Sequence, residues 1–226
     1  MTRSIRLFSA LLVACLAVPS LEAQAAAKTV LAPSDSGMFV IRHAGDTVAT
    51  EQFVRSQTTI EGTLAVRNAK ATAQTYKAVV APDASVALIE VTVRENADSG
   101  RVKGRTVQQA RIIFKGDSAS VDDITNHGLQ TRVFGTERGA VPYLNLSFAL
   151  LEQAIRRSRA GQGDGKVPLF NLGGGQTLDG TVSSLGTDSL TLAIGNVEYH
   201  VRVDGTGRLL GARIPSQNLV AERTGS

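Results

Sequence analysis

The chain has one cysteine, no tryptophan, three histidines and two methionines in 226 residues. Each shortage removes a class of function. The lone cysteine, Cys15, sits in the N-terminal apolar stretch. Without a second cysteine there is no internal disulfide, so stability rests on burial and hydrogen bonds even in an oxidising compartment. Aromatics make up 4% of the chain. Sites that stack bases or sugars need exposed aromatic platforms, which disfavours single-strand and carbohydrate binding. His43, His127 and His200 each stand without a second histidine or a cysteine at i+2 or i+4. Zinc sites usually show such a local pair, so no metal site is assigned. A dominant charge is missing too. The formal balance is +4, with acidic and basic residues interspersed. That arrangement leaves no electrostatic footprint for nucleic acid.

The N-terminus has the three-part layout of a secretory signal. Arg3 and Arg6 precede the apolar run Leu7–Val18, and Pro19 and a small-residue stretch through Ala25 and Ala27 follow it. The run is shorter than the roughly twenty residues of a spanning helix. Residues 1–27 are therefore expected to be a signal peptide, and 28–226 a single β-rich domain. Removing residues 1–27 takes away two arginines and one glutamate, which leaves 22 basic against 19 acidic groups, or +3. The expected location is periplasmic or secreted. Leu12-Val13-Ala14-Cys15 also resembles a lipoprotein signal, the alternative being an anchor through a lipidated Cys15. Membrane association is expected only in that case.

One segment after the N-terminus reads as a helix. In Leu146–Gly161, Phe148, Leu151, Ala154 and Ile155 recur on one face of a 3.6-residue repeat. Leu150 widens the stripe, and Glu152, Gln153, Arg156 and Arg157 cover the rest. Ser147, or else Asn145, can accept from an orphan N–H as N-cap. Arg156, Arg157 and Arg159 suit the negative end of the helix dipole. Gly161 is expected to end the helix in the left-handed conformation. The predicted span is about 147–160.

Around this helix the chain reads as short strands with turns between them. Before it come Met38–Arg42, Thr47–Ser56, Thr58–Arg67, Ala71–Val80, Val86–Arg94, Val107–Lys115, Ala119–Ile124 and Leu129–Phe134. After it come Val167–Leu172, Thr177–Ser184, Ser189–Ile194, Val197–Val203 and Arg208–Ile214, with Asn218–Glu222 as a last edge segment. Gly195-Asn196 and Asp204-Gly205 are hairpin dipeptides, since they tolerate positive φ. About a dozen strands and one helix predict an all-β, mainly antiparallel fold, a curved sheet or half-barrel with the helix packed on it. A sandwich with the helix at one end is the alternative.

No motif assigns chemistry. Asp122 and Asp123 with His127 are the nearest to an acid–base cluster, but no nucleophile accompanies them. Gly180–Gly186 lacks the Gly-x-Ser-x-Gly spacing of a nucleophile elbow. Gly116-Asp117-Ser118 resembles the tripeptide of chymotrypsin-like proteases, with Ala119 where glycine belongs. Asp117, Asp122 and Asp123 lack the alternation of a calcium loop. The Gly161/Gly163/Gly165 string follows a helix C-terminus, the wrong end for phosphate, and reads as a linker. Arg156, Arg157, Arg159 and Lys166 form the densest positive patch, accounted for by the helix dipole and solubility, with an anionic head group or acidic partner as the other reading. The chain is not expected to be an enzyme, and no cofactor is implied.

The signal peptide, the opening Phe39-x-Ile41 strand, the Gly45-Asp46 hairpin and the closing Val203-Asp204-x-x-Gly207-Arg208-Leu209-Leu210 hairpin resemble periplasmic lipoprotein carriers of the LolA and LolB kind, and uncharacterised secreted proteins that share their fold. In that family a curved sheet holds acyl chains beneath helices that act as a lid. The present chain departs in having one internal helix and few aromatics. The resemblance implies a non-catalytic domain holding an apolar ligand, a lipid or acyl chain, between sheet and helix. Phe148, Leu151, Ile155, Arg156 and Arg157 are then the candidate ligand-binding residues. The alternative is a structural or protein-interaction module of the cell envelope with a filled core. The expected partners are an apolar small molecule or an envelope protein, and not nucleic acid.

Overall fold

The computed structural model describes residues 35–96, 104–161 and 164–225. The expected signal peptide, with Cys15, and Gly163 lie outside the described residues. Among the described residues there is one α-helix, and the chain reaches it through a simple run of eight strands and a ninth: β1 (Asp35–His43), β2 (Asp46–Arg55), β3 (Thr59–Val66), β4 (Thr72–Val80), β5 (Val86–Glu95), β6 (Arg105–Lys115), β7 (Ser118–Thr125) and β8 (Gly128–Gly135). A short β9 (Val141–Tyr143) leads into α1 (Phe148–Ala160). Six more strands follow: β10 (Lys166–Asn171), β11 (Thr177–Ser184), β12 (Ser189–Ile194), β13 (Val197–Val203), β14 (Leu209–Ile214) and β15 (Leu219–Thr224). The fifteen strands make one curved, unclosed sheet in the order β8 to β1, then β15 down to β9. All pairs are antiparallel except β9 with β10. The all-β half-barrel with one helix is therefore the observed architecture.

Alternation sets the two faces. In β2, Ala49, Glu51, Phe53 and Arg55 are buried while Gln52 and Val54 are exposed, the period of a strand with one covered face. The neighbouring rows continue it: Phe39 and Ile41 on β1, Ile60 and Leu64 on β3, Leu190 and Leu192 on β12, Val201 and Val203 on β13. These side chains line the concave side, and α1 lies among them. Phe39 stacks on Phe53 at 5.6 Å and tilts against Phe148 at 5.7 Å. A second aromatic group, Phe114 and Phe134 on Phe170, brings the β6–β8 end of the sheet to β10.

Three details differ from the sequence reading. The final segment is no edge, for β15 pairs with β1 on one side and β14 on the other, in the middle of the sheet. The connection before the helix contains β9, whose Val141 and Pro142 are buried. Proline is confined to edge positions of sheets, and β9 is an edge. Gly161 closes the helix at φ −78°, an extended and not a left-handed cap, with its N–H donating to the carbonyls of Arg157 and Ser158.

Candidate functional site

The N-terminus and the mid-section of α1 meet buried charge. At the N-terminus Ser147 is the N-cap, its hydroxyl accepting from Leu150 N at 3.3 Å. Below it Glu51, fully buried, accepts from four donors: the hydroxyls of Tyr76 (2.6 Å) and Ser147, and the backbone N–H groups of Phe148 (2.7 Å) and Ala149 (3.0 Å). Orphan N–H groups and the positive end of the dipole favour an anion there. Burial nonetheless pushes the Glu51 carboxyl above its usual range, with the four donors pulling back. Burial, reinforced by the Glu51 charge, raises the Tyr76 phenol well above its ordinary value. Gly62 makes this possible, since a Cβ there would collide with the Tyr76 ring.

One turn further on, Glu152 is the second hub, also fully buried. Its carboxylate accepts from Arg156 Nε at 2.9 Å and Leu209 N at 3.0 Å. It stands 3.4 Å from Arg55 Nε and 3.5 Å from Arg223 Nη1. Arg55 donates to Gln153 and, at 2.8 Å, to the carbonyl of Ala149. Burial draws the Arg55 guanidinium down from its usual value, against the attraction of Glu152. Arg223 reaches Asp35 and the Ser36 carbonyl and lies 4.9 Å over the Phe53 ring. At those separations Arg55 Nε and Arg223 Nη1 are in Coulombic contact with Glu152 without forming hydrogen bonds to described residues, and Asp35 Oδ2 is likewise unpaired. Glu152 and Gln153, read from the sequence as part of the polar surface, are thus interior residues at 0% and 1% exposure.

The proposed ligand-binding residues divide into two groups. Phe148, Leu151 and Ile155 are 2%, 4% and 0% exposed and belong to the core. Where Phe148 and Leu151 meet Tyr143 and Tyr199, a gap of about 10 Å³ remains, room for one water at most. Tyr143 and Tyr199 share a hydrogen bond of 2.9 Å. Arg156 is bound to Glu152, and Arg157 donates to the carbonyls of Gly139 (3.2 Å) and Asp83 (3.0 Å). On the flank of the helix a groove of about 630 Å³ opens between three turns, its charged walls being Arg55, Arg156, Arg208 and Asp35, with Val80 and Pro82 as its apolar side. Arg208 is held by Asp204 at 2.7 Å, and the hydrogen bond from the Thr206 hydroxyl, together with this pairing, draws the Asp204 carboxyl below its usual range. A wider trough of about 900 Å³ crosses the convex face over Met38, Gln52, Thr63 and Thr75 and is open to solvent.

The residues weighed for chemistry stay apart. His43 and His127 are exposed, the latter in the β7–β8 turn, and His200 contacts Glu198 at 2.6 Å on the surface. Asp122 and Asp123 point to opposite faces of β7, accepting from Thr131 (2.7 Å) and Gln108 (3.0 Å) respectively. Ser118 donates to the Lys115 carbonyl within its turn. Among the described residues no three His, Cys, Asp or Glu side chains converge as a metal site, and no helix is long and apolar enough to cross a membrane.

No protein-family model matches the sequence, and no curated protein matches it. Solved structures do. A DUF1089 family protein from Pseudomonas aeruginosa is similar at a TM-score of 0.53 and 13% identity, over 76% of this chain and 91% of that one. A beta-barrel-like protein of a domain of unknown function, DUF1849, from Brucella abortus aligns at a TM-score of 0.49 and 12% identity, over 86% of this chain and 95% of that one. Neither is described as a LolA or LolB protein. At such identity the likeness shows the fold alone: the half-barrel architecture of this chain is similar to that of the DUF1089 family protein.

Proposed function

We propose that the protein is a non-catalytic module of the cell envelope, exported by its N-terminal signal, in which the helix is a permanent plug and contact with partners is made on the outer surface. The observation that carries this reading is the seating of α1. Its apolar face is buried in the sheet, and its N-terminus and mid-section are tied to the sheet by Glu51 and by the Glu152–Arg55–Arg223 group. An acyl chain lying under Phe148, Leu151 and Ile155 would need the helix to leave, exposing three apolar side chains and two buried carboxylates together. Pockets that hold such ligands are usually largely formed beforehand.

A second reading rests on the flank groove. Its guanidinium groups beside Val80 and Pro82 suit an anionic head group, with the helix acting as a lid that admits the chain. One experiment separates the two. Delipidated protein is titrated with a fluorescent fatty acid while amide exchange of α1 is followed. The plug reading expects no saturable uptake and α1 amides that exchange only with global unfolding. Stoichiometric uptake with loss of protection confined to α1 would overturn it in favour of the lid.

A further inference from the structure

Six large hydrophobic side chains are exposed among the described residues, and four of them lie on β6–β8: Ile113, Ile124, Leu129 and Val133. The strand register sets them in two rows, with the polar row Arg111–Asp122–Thr131 between. Ile113, Ser120 and Val133 form one row across β6, β7 and β8, and Gln109, Ile124 and Leu129 form another, both on the convex face. Leu129 and Val133 belong to β8, the end strand of the sheet, and are 64% and 72% exposed. The other end differs. Strand β9 is three residues long, contains Pro142 and lies against the helix. Natural sheets blunt an open edge with proline, charged side chains, a bulge or a cover. Strand β8 has no proline and a single charge, Arg132, and its register with β7 is unbroken.

The backbone of β8 is also in phase for another strand. Thr136 N–H donates to the Asp117 carbonyl at 2.8 Å, which makes those two a hydrogen-bonded pair. Alternate residues Phe134, Arg132 and Gln130 therefore turn their N–H and C=O toward β7, and Leu129, Thr131 and Val133 turn theirs outward. An antiparallel copy of the same strand, related by a two-fold axis at Thr131, satisfies all of them. Thr131 then faces Thr131 of the second copy, and Leu129 faces its Val133. Each is a hydrogen-bonded pair, giving about six intermolecular backbone bonds. The convex face of the seam joins two Leu129–Val133 contacts to the Ile113 and Ile124 patches of both copies. On the concave face Arg132 meets Gln130 of the other copy, a contact it already makes within its own chain at 2.6 Å. An axis at Arg132 would oppose two guanidiniums, and an axis there or at Gln130 would join backbone groups already bonded to β7.

We propose that the β8 edge is a homodimer seam, in which a second copy of this chain adds antiparallel through Leu129–Val133. The seam is independent of what the interior holds. A contact of this length belongs to the weak interface class, so the measurement must reach about 200 µM protein. Sedimentation velocity of the purified protein is expected to show a dimer fraction that grows with concentration. The double variant Leu129→Lys/Val133→Lys is expected to stay monomeric with an unchanged melting temperature, because both side chains face solvent. In a Cys15→Ser background, Thr131→Cys is expected to form a disulfide dimer under copper–phenanthroline oxidation, since hydrogen-bonded partners about 5.5 Å apart suit the bridge. The exposed control Leu185→Cys is expected to crosslink far more slowly. A monomer at every concentration, a dimer that survives the double lysine variant, or equal crosslinking of the two cysteine variants would each overturn the seam. The first of these would leave the edge to a strand from another protein.

Discussion

The helix rests on two unlike surfaces. Toward β1, β2 and β15 its neighbours include Glu51, Arg55, Arg223 and Asp35, a buried ionic network beside Phe39 and Phe53. Toward β10 to β14 they are Leu169, Leu192, Tyr199, Val201 and Leu209, almost wholly apolar. The apolar side is non-directional, and its contribution scales with area. The ionic side is directional, and each member is stabilising only while its partners are in place. One side therefore supplies cohesion, and the other sets the depth and rotation at which the helix is held.

The two sides should break differently. The largest effect is expected from Glu152→Ala, which strips Arg55 and Arg223 of their shared counter-charge. Unpaired buried charges cost about 3–5 kcal/mol, read as a lower urea midpoint. An equal loss from Ile155→Val on the apolar side would erase the contrast. That substitution removes one buried methylene and is expected to cost about 1 kcal/mol.

The smallest and most specific effect lies in pH. A carboxyl raised by burial stabilises the fold in its protonated form. The Glu51 contribution is thus whole below about pH 4.3, the unfolded glutamate value, and is lost as pH rises through the folded value. Glu51→Gln should flatten the dependence of stability on pH across this range, and parallel curves for variant and parent would show that Glu51 is not its source. At the alkaline end Tyr76 and Tyr199, both raised by burial, keep their contribution below about pH 10 and lose it above.

Much of this was legible in the residues. The helix, its Ser147 cap and most strands follow from period and turn chemistry. The ionic side was not. In β2 the alternate sets Ala49/Glu51/Phe53/Arg55 and Val48/Thr50/Gln52/Val54 each mix apolar with polar residues, so alternation cannot say which set faces inward. Glu152 and Gln153 look like a solvated flank because helical spacing shows which residues share a face and not what that face meets. Strand β9 is three residues with a proline, too short for a periodic signal. The place of β15 depends on a pairing between the two ends of the domain, which no local pattern encodes.

That last pairing governs how the domain must assemble. Strands β1 to β8 form one meander and β10 to β14 another, each built from hairpins between consecutive strands. They share a sheet only through β15, which lies against β1 and carries Arg223 to Asp35 and Glu152. The contacts most distant in sequence are thus at the centre of the structure, and non-local pairings of this kind slow folding. A chain emerging from the ribosome can form both meanders and still lack a common interior. Only its final strand, acting as keystone, converts two local structures into one cooperative domain.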